Sequence, residues 1–306
     1  MRNKKLLAFF SFLIILAFIV YIIIDIARKP VDVADETLAS DEAAPPERWR
    51  ILHEEFISDS LKAVAVSSDG YIYVGGGSLL SLYDKDLSKI RTIKTPAKIT
   101  AIAVYGDTVF TTSEEQIFLF SKDGKLIGEW GPFEANSIIT SVSANRNYVA
   151  VADAGNKIVF ILNKRGEVKS MTGHFGEKLI IPSPYFDVCL TPDNVLYMAH
   201  TGNFRVEKRS IDGRLLSYFG ESGSSPEAFC GCCNPAHFTL VPQGFITAEK
   251  GINRIKILDP EGGFTEFVSS VNDFVASVPL DVASADGRTI YGANPADGKL
   301  YVFVRR

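Results

Sequence analysis

Three cysteines within four positions form the chemically most distinctive part of this chain. Cys230, Cys232 and Cys233 belong to the stretch Phe-Cys-Gly-Cys-Cys-Asn-Pro-Ala-His, which ends at His237. Thiolates and imidazoles are ligands that copper, zinc and iron–sulfur centres prefer. With His237, and with His174 or His200 from another loop, the cluster could hold such a metal. The residue types support this hypothesis more than the spacing does, because two separated Cys-x-x-Cys pairs are absent.

Two alternatives explain the same cysteines without a metal. In an oxidising compartment, Cys230 would pair with Cys232 or Cys233, since a bond between adjacent cysteines is strained. A reactive thiol that exchanges disulfides is the other alternative. The fourth cysteine, Cys189, lies in an apolar run, which predicts a small core side chain.

Four further side chains are candidate ligand-binding residues. Glu249 and Lys250 form a charged pair in a glycine-containing loop, and His200 begins a similar loop. Asp187 directly precedes a short apolar strand and could line a channel. The sequence contains no Gly-x-Ser-x-Gly elbow, no glycine-rich phosphate loop and no His-Glu-x-x-His motif, so its motifs do not assign an enzyme class.

The elements that must position these residues are short strands, which recur roughly every 40 residues. Each unit has an apolar strand, a turn rich in Asp, Asn and Gly, a second strand, a loop and a third strand; a fourth follows in most units. A recurring position in the second strand is aromatic or small in most units: Tyr73, Phe110, Ala150, Tyr197, Thr247 and Tyr291. Third strands are predicted at residues 79–83, 117–120, 157–162, 205–208, 254–258 and 300–304. Six such units predict an all-β fold, a six-bladed β-propeller.

The two ends of the repeat region predict how the ring closes. The last unit has only three strands before the chain reaches Arg306, and residues 49–56 precede the first unit without a partner. We expect residues 49–56 to supply the fourth strand of the last blade, which would hide a sheet edge. The predicted propeller then spans residues 49–306.

Loops in the middle of the chain resemble NHL repeats. Asp153-Ala-Gly-Asn-Lys-Ile-Val-Phe and His200-Thr-Gly-Asn-Phe-Arg-Val are similar to the pattern Asp-x-Gly-Asn-x-Arg-Ile, and Glu249-Lys-Gly-Ile-Asn-Arg-Ile looks like a version shifted by one residue. The resemblance implies an NHL-repeat-like six-bladed propeller with TolB-like architecture, of the membrane-anchored bacterial type. It implies little chemistry, because propellers host binding modules and enzymes alike.

Blade topology predicts where a site would lie. The loops that enter the first strands share one face of the ring with the loops that join the second and third strands. Two entering loops are expanded, at residues 173–184 and 220–235, and extra length in a tight repeat indicates function. The candidates expected at this mouth are His174, His200, Cys230, Cys232, Cys233, His237, Glu249 and Lys250.

The amino terminus carries a predicted membrane anchor. Residues 6–24 contain no charge, and their length is close to the ~20 residues that cross a bilayer as a helix. Basic residues in segment 1–5 predict a cytoplasmic amino terminus, and segment 25–48 is typical of a tether. A cleaved signal peptide is the alternative. We therefore expect a single-pass protein of the cytoplasmic membrane with an extracytoplasmic propeller, periplasmic or at the cell surface.

The composition narrows the classes of partner. The chain has 306 residues and a formal net charge of -4, which argues against nucleic-acid binding.

The leading interpretation is a binding or scaffold module that presents its mouth to a protein or a small ligand. The alternatives are a metal or redox accessory protein that uses the cysteines, and a calcium-dependent lactonase-like hydrolase. Calcium is less favoured than a soft metal, since spacing does not select its candidate ligands Asp187, Glu249 and Asn294.

Overall fold

The computed structural model divides into two compact units, which are described separately. The described residues are 15–20, 48–174, 176–231, 233–269 and 273–306. In the first unit, Met1–Pro45, residues 15–20 are helical and exposed. Within the described residues, no helix combines the length and apolar character needed to span a bilayer. The rest of the predicted span 6–24, and nearly all of the tether 25–48, lies outside those residues.

The second unit, Pro46–Arg306, is built from β-strands. Its strands are β1 (Trp49–Phe56), β2 (Leu61–Val66), β3 (Ile72–Gly76), β4 (Leu79–Tyr83), β5 (Lys89–Lys94), β6 (Ala101–Tyr105), β7 (Thr108–Thr112), β8 (Ile117–Ser121), β9 (Leu126–Trp130), β10 (Ile139–Ala144), β11 (Tyr148–Asp153), β12 (Ile158–Asn163), β13 (Val168–Thr172), β14 (Val188–Leu190), β15 (Val195–His200), β16 (Arg205–Ser210), β17 (Leu215–Phe219), β18 (His237–Val241), β19 (Gly244–Ala248), β20 (Ile255–Leu258), β21 (Phe264–Ser269), β22 (Asp281–Ala283), β23 (Thr289–Asn294) and β24 (Lys299–Arg305). A short 3₁₀ turn at Thr201–Asn203 joins β15 to β16.

These strands form six four-stranded antiparallel sheets in the described part of the chain. Each of the first five blades is a meander of four consecutive strands, beginning with β2, β6, β10, β14 and β18. These first strands, with β22 of the sixth blade, contact one another in sequence around the ring, and β22 also contacts β2. The arrangement is the predicted six-bladed β-propeller, with the first strand of each blade on the central channel.

The sixth blade joins the two ends of the propeller. Its strand order is β1-β24-β23-β22, so β1 is the outermost strand although it comes first in the chain. The pairing runs from Trp49 opposite Arg305 to Phe56 opposite Lys299. Because both ends of the propeller belong to one sheet, β24 has a hydrogen-bonded partner strand on each side, and the ring is held closed.

Apolar side chains between neighbouring blades form the core. One cluster packs Leu61 and Val74 of the first blade against Ala293 and Val302 of the sixth. Phe110, at the recurring second-strand position, is 1% exposed, and burying a side chain of this size contributes roughly 1.5–3 kcal/mol. The outermost strands β5, β9 and β17 are largely exposed, so in these blades the core lies among the inner three strands.

Pairing along the inner strands corrects the predicted repeat alignment in the fifth blade. Tyr197 pairs with Cys189 in the fourth blade, and the corresponding pair in the fifth is Ile246 with Thr239, so Ile246 rather than Thr247 occupies the recurring position. The following loops have equal length: the Glu249 amide donates to the Arg254 carbonyl, just as His200 is paired with Arg205.

The loop beginning at Glu249 is therefore not shifted. Asn253 corresponds to Phe204 and Lys157 rather than to the repeat asparagine. All three have positive φ angles, of 35°, 55° and 59°. Asparagine tolerates this left-handed conformation better than most residues, which explains its displaced position.

Candidate functional site

A cavity of about 180 Å³ occupies the channel of the propeller. The first strands of all six blades line it, so its wall is built from equivalent positions of the repeat. One layer of that wall consists of small side chains: Ala65, Ala103, Ser143, Cys189, Thr239 and Ala283. Cys189 thus lies at the position of Ala65 and Ala103, where a small residue keeps the channel open.

The next layer toward one mouth is polar in four consecutive blades, the third to the sixth, and includes Ser141 of the third. Asp187, His237 and Asp281 occupy the same position, opposite Ala199, Ala248 and Ala293 of the second strands. Nδ1 of His237 lies 3.8 Å from Oδ2 of Asp187 and 3.6 Å from Oδ1 of Asp281. We call these three residues the channel triad.

Both aspartates of the channel triad also connect neighbouring blades. Oδ2 of Asp187 accepts a 2.8 Å hydrogen bond from the Phe238 amide of the next blade, and Oδ2 of Asp281 accepts one of 2.8 Å from the Val64 amide. Ser141, at the same position in the third blade, donates its hydroxyl proton to Asp187 and accepts a 3.2 Å bond from the Val188 amide. The polar ring therefore stabilises the closed propeller as well as lining the channel.

Burial shifts the titration of the triad toward neutral forms. It raises the pKa of Asp187 to about 6, and burial together with the Asp187 charge raises the pKa of Asp281 to about 7. Burial and the nearby Lys62 charge lower the pKa of His237 to about 3. A neutral imidazole has one donor and one acceptor nitrogen, so His237 can exchange hydrogen bonds with a ligand.

Three larger side chains stand at the same mouth. Nζ of Lys250 lies 4.9 Å from the centre of the Tyr185 ring, and Nζ of Lys62 lies 5.9 Å from it. The Tyr185 ring also meets the His237 ring edge to face, at 5.8 Å between centres. Lys62 comes from the first blade and Tyr185 from the loop entering the fourth, so the pair spans the ring from opposite sides. We call Lys62, Tyr185 and Lys250 the rim cluster.

His200 lies away from the channel and holds the first expanded loop. Its Nε2 accepts a 2.8 Å hydrogen bond from the Ile180 amide, so its proton is on Nδ1, which lies 2.7 Å from Oε1 of Glu207. Glu207 also forms two ion pairs. Its Oε1 lies 2.6 Å from Nη2 of Arg205, and its Oε2 lies 2.5 Å from Nη2 of Arg209. Burial alone would raise the pKa of this carboxyl, but the His200 hydrogen bond and the Arg209 charge lower it to about 2.

Glu249 has the same role in the next blade. Its carboxylate is buried, pairs with Arg254 at 2.9 Å and Lys256 at 3.0 Å, and accepts a 3.2 Å hydrogen bond from the Cys230 amide. Arg254 and Lys256 in turn donate to carbonyls of the second expanded loop, including that of Ala228. Burial lowers the pKa of Lys256 to about 8, although the Glu249 charge opposes this shift.

The ends of three second strands therefore anchor the loops that enter their own blades. Asp153 accepts a 2.8 Å hydrogen bond from the Ile138 amide, as His200 does from Ile180 and Glu249 from Cys230. His200 and Glu249 do not line the cavity, whereas Asp187 does. Of the four predicted ligand-binding residues, the structure brings only Asp187 and Lys250 to the channel mouth. Asn294, the third calcium candidate, is buried and accepts from the Ala296 amide.

The predicted metal ligands are spread over different surroundings. Cys230 is partly exposed with a free thiol, Cys233 is buried, and Cys232 lies outside the described residues. His174 is exposed in its loop, and His237 belongs to the channel triad. Among the residues that the structure describes, no three His, Cys, Asp or Glu side chains form a group that could hold a metal ion.

Asn234 fixes the cysteine loop to the mouth. Its side-chain amide donates to the carbonyls of Cys230 and Lys250, the latter at 2.7 Å, and its Oδ1 accepts a 2.9 Å bond from the Lys250 amide. Asn234 is fully buried, and its peptide bond to Pro235 is cis. The cysteine loop thereby sets the position of Lys250 in the rim cluster.

Sequence reasoning missed Lys62, Ser141, Tyr185 and Asp281 as site residues. One signal was present for Asp281. It begins the sequence Asp-Val-Ala at the start of the first strand of the sixth blade, just as Asp187 begins Asp-Val-Cys at the start of the first strand of the fourth blade. Lys62 gave no such signal, because a β-bulge between Leu61 and Ala63 places it there.

Comparisons with known proteins show the fold and leave the family open. No protein-family model matches the chain, and no curated protein matches it. Among solved structures, virginiamycin B lyase from Staphylococcus aureus is 14% identical, with a TM-score of 0.61, covering 84% of this chain and 100% of that one. A Bacteroides thetaiotaomicron protein of unknown function is 16% identical, with a TM-score of 0.63, over 86% and 73% of the two chains. The WD40 propeller domain of Doa1 is 12% identical, with a TM-score of 0.57, over 80% and 79%. At such identities the likeness concerns architecture alone: the chain is an all-β six-bladed β-propeller.

Proposed function

We propose that this protein is a membrane-tethered, extracytoplasmic binding module whose ligand site is the channel mouth. The observation that carries the proposal is the cavity of about 180 Å³ with the channel triad in its wall. Ligand sites are typically concave and furnished with a few converging polar groups. The alanine-rich layer leaves room, and the triad supplies the groups that would orient a ligand.

The expanded loops support a preformed site. Residues 173–184 are held through His200 and by the bidentate pair of Arg209 with Glu177, whose closest atoms are 2.6 Å apart. Residues 220–235 are held through Glu249 and its two cationic partners. Loops that are ordered before binding lose less entropy when a ligand arrives, which favours affinity.

The tether rests on the sequence of the amino-terminal segment. The apolar run 6–24, its basic flank and the following linker support a single-pass anchor with the propeller outside the cytoplasm. Fusions of a periplasm-dependent reporter enzyme after residue 48 or after Arg306 test this. Both fusions should be active, and after alkaline carbonate washing the protein should remain in the membrane fraction. Inactive reporters in both fusions, although the fusion proteins accumulate at normal levels, would contradict the topology.

A channel-blocking variant tests the binding function. We expect Thr239→Phe to fill the cavity from the wall of the fifth blade. In a thermal-shift screen of a metabolite library on the full-length protein in mild detergent, wild type should gain stability with a subset of compounds, and Thr239→Phe should not. Leu216→Phe, on an exposed outer strand, is the matched control and should respond as wild type does. A hit list shared by wild type and Thr239→Phe would exclude the channel as the site.

An enzyme acting at the same mouth is the second candidate. The observation favouring it is His237, whose imidazole lies within 4 Å of two carboxylates. Such pairs can support general acid–base chemistry. Turnover of lactones or esters by wild type in the presence of Ca²⁺, lost in His237→Asn with binding retained, would establish it. Metal analysis and thiol counting on the same preparation test the accessory-protein alternative, including Cys232.

A further inference from the structure

We infer that the ligand of the channel mouth is a small organic acid that also carries hydroxyl or amino groups. The inference rests on the proposed binding function and specifies its ligand. The acid group would lie between the two lysines of the rim cluster, and the hydroxyl or amino groups would face the channel triad. Hydroxy acids, sugar acids and amino acids have this chemistry.

The two lysines provide the anion-binding part of the site. Lys62 and Lys250 are both partly buried, and neither forms an ion pair with any residue that the structure describes. Both ammonium groups lie within 6 Å of the centre of the same tyrosine ring, although they come from the first and fifth blades. Two cations that approach the same ring and form no ion pair among the described residues favour binding of an anion from solution.

Tyr185 and His237 add hydrogen-bonding capacity beside the lysines. Burial raises the pKa of the Tyr185 phenol, so it stays protonated and can donate. The edge-to-face contact between the two rings fixes the tyrosine above the triad. An acid group at the rim would therefore meet charged and neutral donors at once, and charge-assisted hydrogen bonds are the stronger kind.

The channel triad decides what the rest of the ligand must be. Oδ2 atoms of Asp187 and Asp281 already accept backbone hydrogen bonds, whereas Oδ1 of Asp281 faces His237 at 3.6 Å. Above pH 7, where both aspartates of the channel triad are mainly ionised, their carboxylates repel an acid group, so the anion stays at the rim. The ionised Asp281 accepts hydrogen bonds, which hydroxyl and amino groups donate.

Isothermal titration with chosen probes tests this inference on the full-length protein in mild detergent. The probes are gluconate, glucuronate and glycerate, with sorbitol as the uncharged match of gluconate and hexanoate as an acid without donors. We expect at least one hydroxy acid to bind, and sorbitol and hexanoate to bind at least about tenfold more weakly. Lys62→Gln and Lys250→Gln should each weaken the hydroxy acid by at least about tenfold.

Lys208→Gln is the matched control. Lys208 is also partly buried, and its Nζ lies 5.9 Å from the Tyr197 ring, but it belongs to β16, away from the mouth. The affinity of the Lys208→Gln variant for the hydroxy acid should equal that of wild type. Equal binding of sorbitol and gluconate, unchanged affinity in both rim variants, or no binding of any acid would each overturn the inference.

The blocked channel separates this inference from the proposed function. If a neutral compound binds wild type and fails to bind Thr239→Phe, the channel is a ligand site and only the acid inference fails. If a hydroxy acid binds Thr239→Phe as well as wild type while the rim variants weaken it, the acid inference holds at the rim and the channel proposal fails.

Discussion

The imidazole of His237 and the carboxylate of Asp281, which begin the first strands of neighbouring blades, lie 3.6 Å apart in the channel wall. Both belong to a ring of equivalent positions that also contains Ser141 and Asp187. The ring connects blades through backbone hydrogen bonds and faces the cavity. Its titration therefore affects both stability and binding.

Asp281→Asn should change how stability depends on pH. Burial and the neighbouring Asp187 raise the pKa of Asp281 from 3.8 to about 7. Between these pH values the folded protein keeps the Asp281 proton, whereas the unfolded chain loses it. The group therefore lowers the unfolding free energy as pH rises from about 4 to about 7. Relative to wild type, the variant should gain about 3 kcal/mol across this range, measured by urea unfolding.

Other charged groups near Asp281 also contribute to the pH dependence, and an exposed aspartate provides the control. The lowered pKa of His237 acts in the opposite direction, since its contribution is present above pH 6.5 and is lost as pH falls. The Asp187 charge raises the pKa of Asp281, and the Lys62 charge lowers it. Asp86→Asn, at an exposed turn, should leave the pH profile unchanged. A difference between Asp281→Asn and wild type that does not vary with pH would refute the assignment.

Glu207→Gln should strongly destabilise the fourth blade. The Glu207 carboxylate has no exposed surface and balances Arg205 and Arg209, so the neutral amide removes the buried countercharge of Arg205 and leaves Arg209 with Glu177 as its one carboxylate partner among the described residues. We expect a loss of about 3–5 kcal/mol of unfolding free energy. Glu129→Gln, which keeps its exposed partner Gln116, should lose less than about 0.5 kcal/mol. A loss below about 1 kcal/mol in Glu207→Gln would show that the cluster is not a structural hub.

His200→Ala should release the first expanded loop from its blade. The Ile180 amide loses its acceptor, and a partly buried hydrogen bond of this kind contributes about 0.5–1.5 kcal/mol. Hydrogen exchange at Ile180 should accelerate by about tenfold or more, which mass spectrometry or NMR can follow. The Ile99 amide, bonded to the Gly77 carbonyl in another blade, is the internal reference. Unchanged exchange at Ile180 would mean that the loop is held by other contacts.

Asn234→Ala should uncouple the cysteine loop from the mouth. The variant loses the amide that joins the carbonyls of Cys230 and Lys250. We expect faster alkylation of Cys230, read by peptide mass spectrometry, together with weaker binding of whichever hydroxy acid wild type binds. Faster alkylation with unchanged binding would show that Lys250 does not depend on this loop.

The sequence was informative about elements and less so about side-chain partners. Periodic strands and the unpaired segment 49–56 indicated the blades, because local β patterning and turns dictate them. The role of His200 could not be read in the same way. Its Ile180 and Glu207 partners depend on how an expanded loop folds back, and a single sequence does not show that packing. Asp281 was missed although its strand start resembles that of Asp187.

Histidine NMR tests the central claim most directly. The chain has four histidines, and only His237 stands at the channel mouth, whereas His200 is buried behind a loop and His53 and His174 lie on the exterior. With ¹³C-labelled histidine side chains assigned through His237→Asn, adding gluconate, or whichever hydroxy acid binds in titration, should shift the His237 signal and leave the other three in place. An unchanged His237 signal at saturating ligand would contradict a ligand site in the channel mouth.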